Sequence, residues 1–223
     1  MERTLTPDSA RRLEKRAPLP VDPRRTIAVK RDVHEFVVDT DAASFARAFR
    51  AVVTDPASTF GLIRVKRPAA RMGQDFAVGE RFQGCFSLER AALARIPAGM
   101  RDLAERLLAS APAVKLVTWL EDALLSNYAE IVEIGELRLE YRYLDGTPIA
   151  GSSVFTIEDA GAGRCRVRQI FEYQEVGGVA LGTFQRFGLK YHDQVVAMEI
   201  AKAAARAGAS VISSMYRRRA SST

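Results

Sequence analysis

The last third of the chain alternates between apolar and polar positions, and the period then changes. Four segments alternate with the period of two that is typical of half-buried strands: they span residues 127–134, 137–144, 149–158 and 164–176. In the last segment Cys165, Val167, Gln169, Phe171 and Tyr173 share one face, and the other face is mostly charged. Asp145-Gly146 is a typical hairpin turn between two of these segments. The pattern predicts an antiparallel sheet with one buried and one solvated face.

A long amphipathic helix is predicted after this sheet, from Val179 to about Ala207. Apolar residues recur there at spacings of three and four, which places them on one stripe: Phe184, Phe187, Tyr191, Val195 and Met198. A second apolar arc contains Leu189, Val196, Ile200 and Ala203. A helix with two apolar arcs contacts more than one neighbour. Gly208 is a typical C-terminal stop.

In the first half of the chain the sequence pattern predicts a strand, a helix, one or two more strands and a helical insert. VHEFVV at 33–38 is typical of a strand, and Thr40 or Asp41 can cap the helix that follows and ends at Asp55-Pro56. Further strands are predicted at 60–66 and 80–90. The period becomes helical at about 97–126. The predicted domain organisation is a segment at 1–32, a domain at 33–208 and a tail at 209–223.

Charge changes the interpretation of the two ends. The net charge is +6, yet residues 1–31 contain nine Lys or Arg against four acidic residues, and Arg217 to Arg219 follow near the other end. The part between is slightly acidic. We therefore predict solvated, disordered basic tails that are dispensable for folding. Contact of the tails with an acidic partner stays open, and specific nucleic-acid binding is not expected.

Cellular context is predicted from what the chain lacks. No apolar run approaches the ~20 residues of a membrane span, and residues 1–31 contain no apolar region of a secretory signal. Cys85 and Cys165 lie in strand patterns, which favours two buried thiols over a disulfide, and hence a cytoplasmic protein. A zinc site is not expected, because the chain has two histidines and no CxxC or HExxH pattern.

The order of elements resembles the helix-grip fold of the START/Bet v 1-like (SRPBCC) superfamily, whose bacterial members include polyketide cyclase/dehydrase-like proteins. The resemblance covers about 33–207 and depends on element order and on the segment from Tyr141 to Glu175, YRYLDGTPIAGSSVFTIEDAGAGRCRVRQIFEYQE. The insert at 97–126 departs from the shortest members. The resemblance implies an α+β fold in which a curved antiparallel sheet wraps around a long C-terminal helix. It also implies a cavity between them for an apolar or aromatic ligand, without a universal catalytic motif.

Strand alternation nominates the residues that face such a cavity. The candidate ligand-binding residues are Phe86, Tyr141, Tyr143, Phe155, Gln169, Phe171 and Tyr191. Gln169 stands out because a buried amide among apolar neighbours needs a hydrogen-bond partner, either a neighbouring Ser or Tyr or a ligand.

Two residues are candidate acid/base groups. Strict alternation in 127–134 places either Glu130 or Glu133 toward an apolar side, where burial would raise a carboxyl pKa. His192 lies between the two apolar arcs of the long helix and could transfer protons near neutral pH. The chain has no GxSxG, GxGxxG or P-loop pattern, so nucleotide binding and that type of nucleophile are not expected.

Two functional classes remain. The first is a module that binds a hydrophobic small molecule, such as a lipid, polyketide or aromatic metabolite larger than a single ring. The second is a metal-free, cofactor-independent cyclase/dehydratase-type enzyme in which Glu130, His192 and a tyrosine meet in the cavity. A weaker third is an interaction protein that acts through its basic tails, and a homodimer stays open.

Overall fold

The protein forms one eight-stranded antiparallel sheet with two of its helices packed on the concave side. The computed structural model describes residues 5, 7–22, 24, 28–55, 63–86, 100–108, 110–116, 126–176 and 189–220. Its helices are α1 (Pro7–Glu14), α2 (Ala42–Thr54), α3 (Arg101–Leu108) and α4 (Leu189–Arg206). Its strands are β1 (Lys30–Val38), β2 (Ile63–Lys66), β3 (Arg81–Phe86), β4 (Ser126–Ile134), β5 (Arg138–Tyr143), β6 (Ile149–Gly161), β7 (Arg164–Glu175) and β8 (Val211–Ala220).

The sheet has the order β2-β3-β4-β5-β6-β7-β1-β8. Its central hairpins follow the alternation of the sequence: in β7 the residues from Cys165 to Tyr173 alternate between buried and more exposed positions as predicted. The predicted strands from residue 127 onward agree with β4 to β7 to within a few residues. The predicted helix-grip fold is confirmed, and the part of the long helix before Leu189 lies outside the described residues.

The core lies between the concave face of the sheet and the pair α2–α4. Asp41 caps α2, because its carboxylate accepts a hydrogen bond from the Ser44 amide at 2.8 Å. Phe49 on α2 contacts Phe155 on β6, with 5.2 Å between ring centroids. The main buried cluster joins α2, α4 and the sheet, and it includes Phe36, Phe45, Phe49, Val52, Ile131, Phe155, Ile157, Val167, Val196, Ile200 and Ala203.

A bulge in β4 corrects the strict alternation assumed for this strand. The register between β4 and β5 shifts between Ile131 and Glu133, so one extra residue is inserted. Glu130 then lies opposite Arg142, and Glu133 lies opposite Glu140. Ile131 is buried, whereas Glu133 is exposed. Neither acid therefore has to face the core.

The N-terminal segment at 1–32 contains α1 and packs against the sheet, in contrast to the solvated tail expected from its composition. Leu13 on α1 is 2 % exposed and packs with Leu5 and Leu144. After α1 the chain pairs with the end of β5, where the Leu19 amide donates to the Tyr143 carbonyl at 3.0 Å. The apolar residues of α1 were too few to predict a hydrophobic core. Leu13 instead packs in a small core with Leu144, in the loop after β5.

The C-terminal tail at 209–223 also differs from the prediction. Residues 211–220 form β8, which pairs antiparallel with β1 along its whole length. Arg218 on β8 binds the Asp32 carboxylate at 3.2 Å, and Asp32 is fully buried. A strand rich in arginine was not recognisable from hydrophobic alternation, because charge partners rather than apolar contacts hold its inward face.

Both cysteines are free and buried, as predicted. A search of the described helices finds none that is long and apolar enough to cross a membrane.

Candidate functional site

A cavity of about 160 Å³ lies between the concave sheet and α4. Aliphatic and aromatic side chains from α2, α4 and six strands form most of its wall. Its apolar lining consists of Phe49, Val53, Val65, Phe76, Phe82, Ala129, Ile131, Leu139, Phe155, Phe171 and Val195, and its polar groups are Asn127, Tyr141, Tyr143, His192 and Glu199. This combination, apolar walls with a few polar groups, is typical of small-molecule sites.

Four of the seven predicted ligand-binding residues line this cavity: Tyr141, Tyr143, Phe155 and Phe171. Phe86 lies in β3 and Tyr191 in α4, but the side chains of both are outside the described part of the structure. Gln169 is fully buried but is not among the described residues that line the cavity.

Gln169 connects a buried hydrogen-bond network instead of facing the cavity. Its amide nitrogen donates to the Ser153 hydroxyl at 2.6 Å, and its amide oxygen is 2.8 Å from His34 Nδ1. Tyr141 in turn is hydrogen-bonded to Ser153 and to Tyr143. The neighbouring serine satisfies the amide, which was one of the two alternatives left open by the sequence. The network reaches the cavity through the two tyrosines.

Burial raises the pKa of both cavity tyrosines, which keeps their hydroxyl groups protonated as hydrogen-bond donors. Desolvation raises the pKa of Tyr141 to about 12, and it raises the pKa of Tyr143 well above its usual value. The Tyr141 and Tyr143 rings stand edge to face, with 5.9 Å between centroids. Both phenols therefore stay protonated across the physiological range and can donate to an oxygen of a ligand.

Glu199 is the carboxylic acid of the cavity. It lies on α4, and among the described residues it has no ion-pair partner. Desolvation raises its pKa to about 8, so the carboxyl group is largely protonated at neutral pH. A neutral acid in an apolar cavity can donate a proton or a hydrogen bond and can accept a proton once it is ionised. The sequence contained a signal for it, an acid four residues after Val195 on the apolar stripe.

Glu130, the other predicted acid/base group, is not brought together with His192. Its carboxylate is 2.7 Å from Arg81 Nε and 3.1 Å from an Arg142 nitrogen. It is not among the described residues that line the cavity. Two arginines bind its side chain on the outer face of the sheet, so a structural role explains it without catalysis.

His192 does line the cavity. Its ring stacks on Phe171 with 4.4 Å between centroids, and burial lowers its pKa. His192 Nδ1 lies 3.8 Å from Asp193, whose carboxylate is 3.0 Å from His34 Nε2. Together His34, His192 and Asp193 form a cluster of potential metal ligands. Sequence reasoning missed this cluster, since it joins residues that are 159 positions apart.

The fold is the helix-grip fold that the resemblance implied, with a cavity between the sheet and α4. Norcoclaurine synthase from Thalictrum flavum, solved with a transition-state analogue, is similar at a TM-score of 0.50 and 10% identity, over 82% of this chain and 98% of that one. The Zhui aromatase/cyclase from Streptomyces sp. R1128 is similar at a TM-score of 0.50 and 11% identity, over 81% and 94%. These likenesses show the fold alone. No protein-family model and no curated protein sequence matches the chain.

Proposed function

We propose that this protein binds a hydrophobic small molecule, of the lipid, polyketide or aromatic-metabolite type, in the cavity between the sheet and α4. The observation that carries the proposal is the cavity itself, with its aromatic walls and its polar groups from Tyr141, Tyr143 and Glu199. Its volume matches an engineered apolar cavity of about 150 Å³ that holds one benzene ring. The part of the cavity that the described residues enclose therefore accommodates one aromatic ring, and a larger ligand would extend beyond it.

The ligand class follows from the polar groups. Two phenols and a protonated carboxyl group are hydrogen-bond donors, so they favour a ligand that presents carbonyl or hydroxyl oxygens on an apolar frame. A ligand with a bare carboxylate would discourage ionisation of Glu199 further. An aromatic ketone or phenol satisfies both the walls and the donors.

The first test is occupancy of the cavity. Val195 lines the cavity and is partly buried, so Val195→Phe places a ring in the space that the ligand would occupy. We expect native mass spectrometry of the untagged wild type to retain a hydrophobic ligand, or an aryl-ketone panel to raise its melting temperature. Val195→Phe should abolish the effect.

Val132→Phe is the matched control, because Val132 lies at the β4 bulge and not among the cavity-lining residues. It should bind as the wild type does. A wild type that retains no ligand and is stabilised by no member of the panel contradicts the proposal. Equal binding by Val195→Phe would place the ligand elsewhere.

A cofactor-independent cyclase/dehydratase-type enzyme of secondary metabolism is the second candidate. Glu199 favours it, because a carboxyl group with a pKa near neutrality is suited to proton transfer. In this proposal Glu199 exchanges a proton with a carbon next to a ligand carbonyl, while Tyr141 and Tyr143 donate hydrogen bonds to the carbonyl oxygen. The two solved enzymes described above make the fold compatible with such chemistry.

Deuterium exchange tests the second candidate without knowledge of the substrate. The wild type, incubated with bound aryl ketones in D₂O, should incorporate deuterium next to the carbonyl faster than buffer does, and Glu199→Gln should not. Glu140→Gln is the control, since Glu140 pairs with Arg138 on the outer face. Binding without faster exchange would support the binding module and contradict the enzyme.

A further inference from the structure

We propose that His34, His192 and Asp193 bind a divalent first-row transition-metal ion of the Zn²⁺ type. The three side chains come from β1 and α4 and adjoin the cavity, since His192 lines it. The inference goes beyond the proposed function, because binding a hydrophobic molecule requires no ion. It also changes the sequence-based expectation that the chain has no metal site.

The three potential ligand atoms already lie close together. Asp193 Oδ1 is 3.0 Å from His34 Nε2 and 3.8 Å from His192 Nδ1, and all three ligand atoms are within 4.8 Å of one another. An ion with bonds of about 2.1 Å requires ligand atoms roughly 3.0 to 3.5 Å apart. The Asp193–His34 pair meets this range. His192 reaches it by a ring movement of about 1 Å.

The hydrogen bond that His34 makes through Nδ1 leaves its Nε2 directed at Asp193. His34 Nδ1 faces the Gln169 amide oxygen at 2.8 Å, while the amide nitrogen of Gln169 donates to Ser153. An oxygen only accepts, so Nδ1 carries the hydrogen. His34 Nε2 then faces the Asp193 carboxylate at 3.0 Å. A contact this short requires a cation between the two atoms, which is either a proton on Nε2 or a metal ion that takes the place of that proton.

The same hydrogen bond is one that metal-binding histidines characteristically make. A ligating imidazole usually donates its other N–H to a fixed oxygen, which sets the tautomer and the ring orientation. Gln169 does this for His34, and the Tyr216 ring lies against His34 with 4.7 Å between centroids. His34 is only 2 % exposed. It is therefore a pre-oriented ligand.

His192 provides an independent observation. Its Nδ1 is buried and has no hydrogen-bond partner among the described residues. Such an orphaned nitrogen is costly unless something binds it. The Phe171 ring holds the imidazole plane by stacking at 27°. An ion between His192, His34 and Asp193 would satisfy this nitrogen.

The ligand set selects the class of ion. Two imidazole nitrogens and one carboxylate oxygen suit Zn²⁺ and its first-row neighbours, whereas Mg²⁺ and Ca²⁺ prefer sites made of oxygen ligands. Three protein ligands leave at least one coordination position free. The buried Asp32 nearby is neutralised by Arg218, so Asp193 supplies the formal negative charge of the site.

The test uses the untagged full chain after treatment with a chelator. We expect calorimetry to show one Zn²⁺ per chain with a Kd of about 1 µM or tighter, and Co²⁺ to give visible absorption bands. The chain contains only two histidines. Nuclear magnetic resonance of ¹⁵N-labelled imidazoles therefore reports the two ligands directly, and both ring signals should move on addition of Zn²⁺.

Asp193→Asn and His192→Gln should each weaken Zn²⁺ binding by tenfold or more, and circular dichroism checks that they fold. Asp39→Asn, at an exposed carboxylate outside the cluster, is the matched control and should bind normally. Mg²⁺ should not bind at the imidazoles. The proposal is overturned by a wild type that binds no Zn²⁺, by unchanged affinity in both cluster variants, or by movement of only one imidazole signal. None of these results bears on ligand binding in the cavity.

Discussion

At the scale of single residues, the cavity is defined by one group that sequence reasoning missed. Glu199 combines a position in an apolar cavity with a pKa raised to about 8 by desolvation. Glu130, which sequence reasoning favoured, is held between Arg81 and Arg142. Spacing alone cannot distinguish these acids, because a bulge shifts the alternation of β4 and because the arginines that pair with Glu130 come from β3 and β5.

Glu199 predicts a dependence of stability on pH. Its pKa is about 8 in the folded chain and 4.5 in the reference state, so the folded state binds the proton more tightly. Its stabilising contribution is full below pH 4.5 and is lost as pH rises through 8. We expect Glu199→Gln to be more stable than the wild type at pH 9 by about 1–3 kcal/mol, and the gain to vanish near pH 5.

Urea unfolding at both pH values measures this difference. Glu158→Gln, at an exposed position of β6, is the control and should change stability by less than about 0.5 kcal/mol at either pH. A Glu199→Gln variant that tracks the wild type at every pH would mean that the carboxyl group is not desolvated.

The buried faces of the strands were predicted correctly where apolar and charged residues alternate, as in β7. Val167 and Phe171 were assigned to the inner face because charged residues separate them in sequence, and both are buried. Gln169 was recognised as a buried amide that needs partners. Its partners His34 and Ser153 were not predictable, because cross-strand register depends on turn geometry and bulges that period two does not encode.

At the scale of elements, β8 extends the sheet beyond the part predicted from the sequence. Its inward side places Arg218 on the buried Asp32 and Tyr216 on His34. The strand therefore supports the edge of the sheet that carries the histidine cluster. Alternation missed it because Arg217, Arg218 and Arg219 follow one another without an apolar period.

Arg218→Ala is expected to destabilise the protein by about 1–3 kcal/mol, because a fully buried carboxylate loses its charge partner. The neighbouring Arg217 does not pair with Asp32, so Arg217→Ala should cost less than about 0.5 kcal/mol. Chemical unfolding of both variants and the wild type measures the two losses of stability side by side. Equal effects would show that strand charge in general, and not this ion pair, holds β8.

At the scale of the whole molecule, both chain ends pack onto the domain. Residues 7–22 pack against the sheet through Leu13 and through backbone hydrogen bonds of Leu19, and β8 completes its edge. The boundary predicted at Val33 followed composition, since a charged segment with several prolines rarely builds a core of its own. It does not have to build one here, because Leu13 uses Leu144 of the domain.

A chain cut to residues 31–216 should therefore melt well below the full-length protein, by about 10 °C or more, whereas the sequence predicted similar melting. Leu13→Ala isolates the N-terminal contribution and should cost about 2–4 kcal/mol, because Leu13 is 2 % exposed. Arg12→Ala, on the exposed side of α1, is the control. Equal melting of the cut and full-length chains would show that these ends contribute nothing to stability.

The position of β8 at the edge of the sheet also has a consequence for solubility. An edge strand offers unpaired backbone groups to any passing strand, and Ile212 and Met215 expose apolar surface beside them. Arg217 is exposed and does not pair with Asp32, so it places positive charge along the same edge, and two copies that approach edge to edge repel each other. Arg217 is thus expected to act as a gatekeeper against aggregation. Because salt screens that repulsion, the protein is best kept at low ionic strength when it is concentrated.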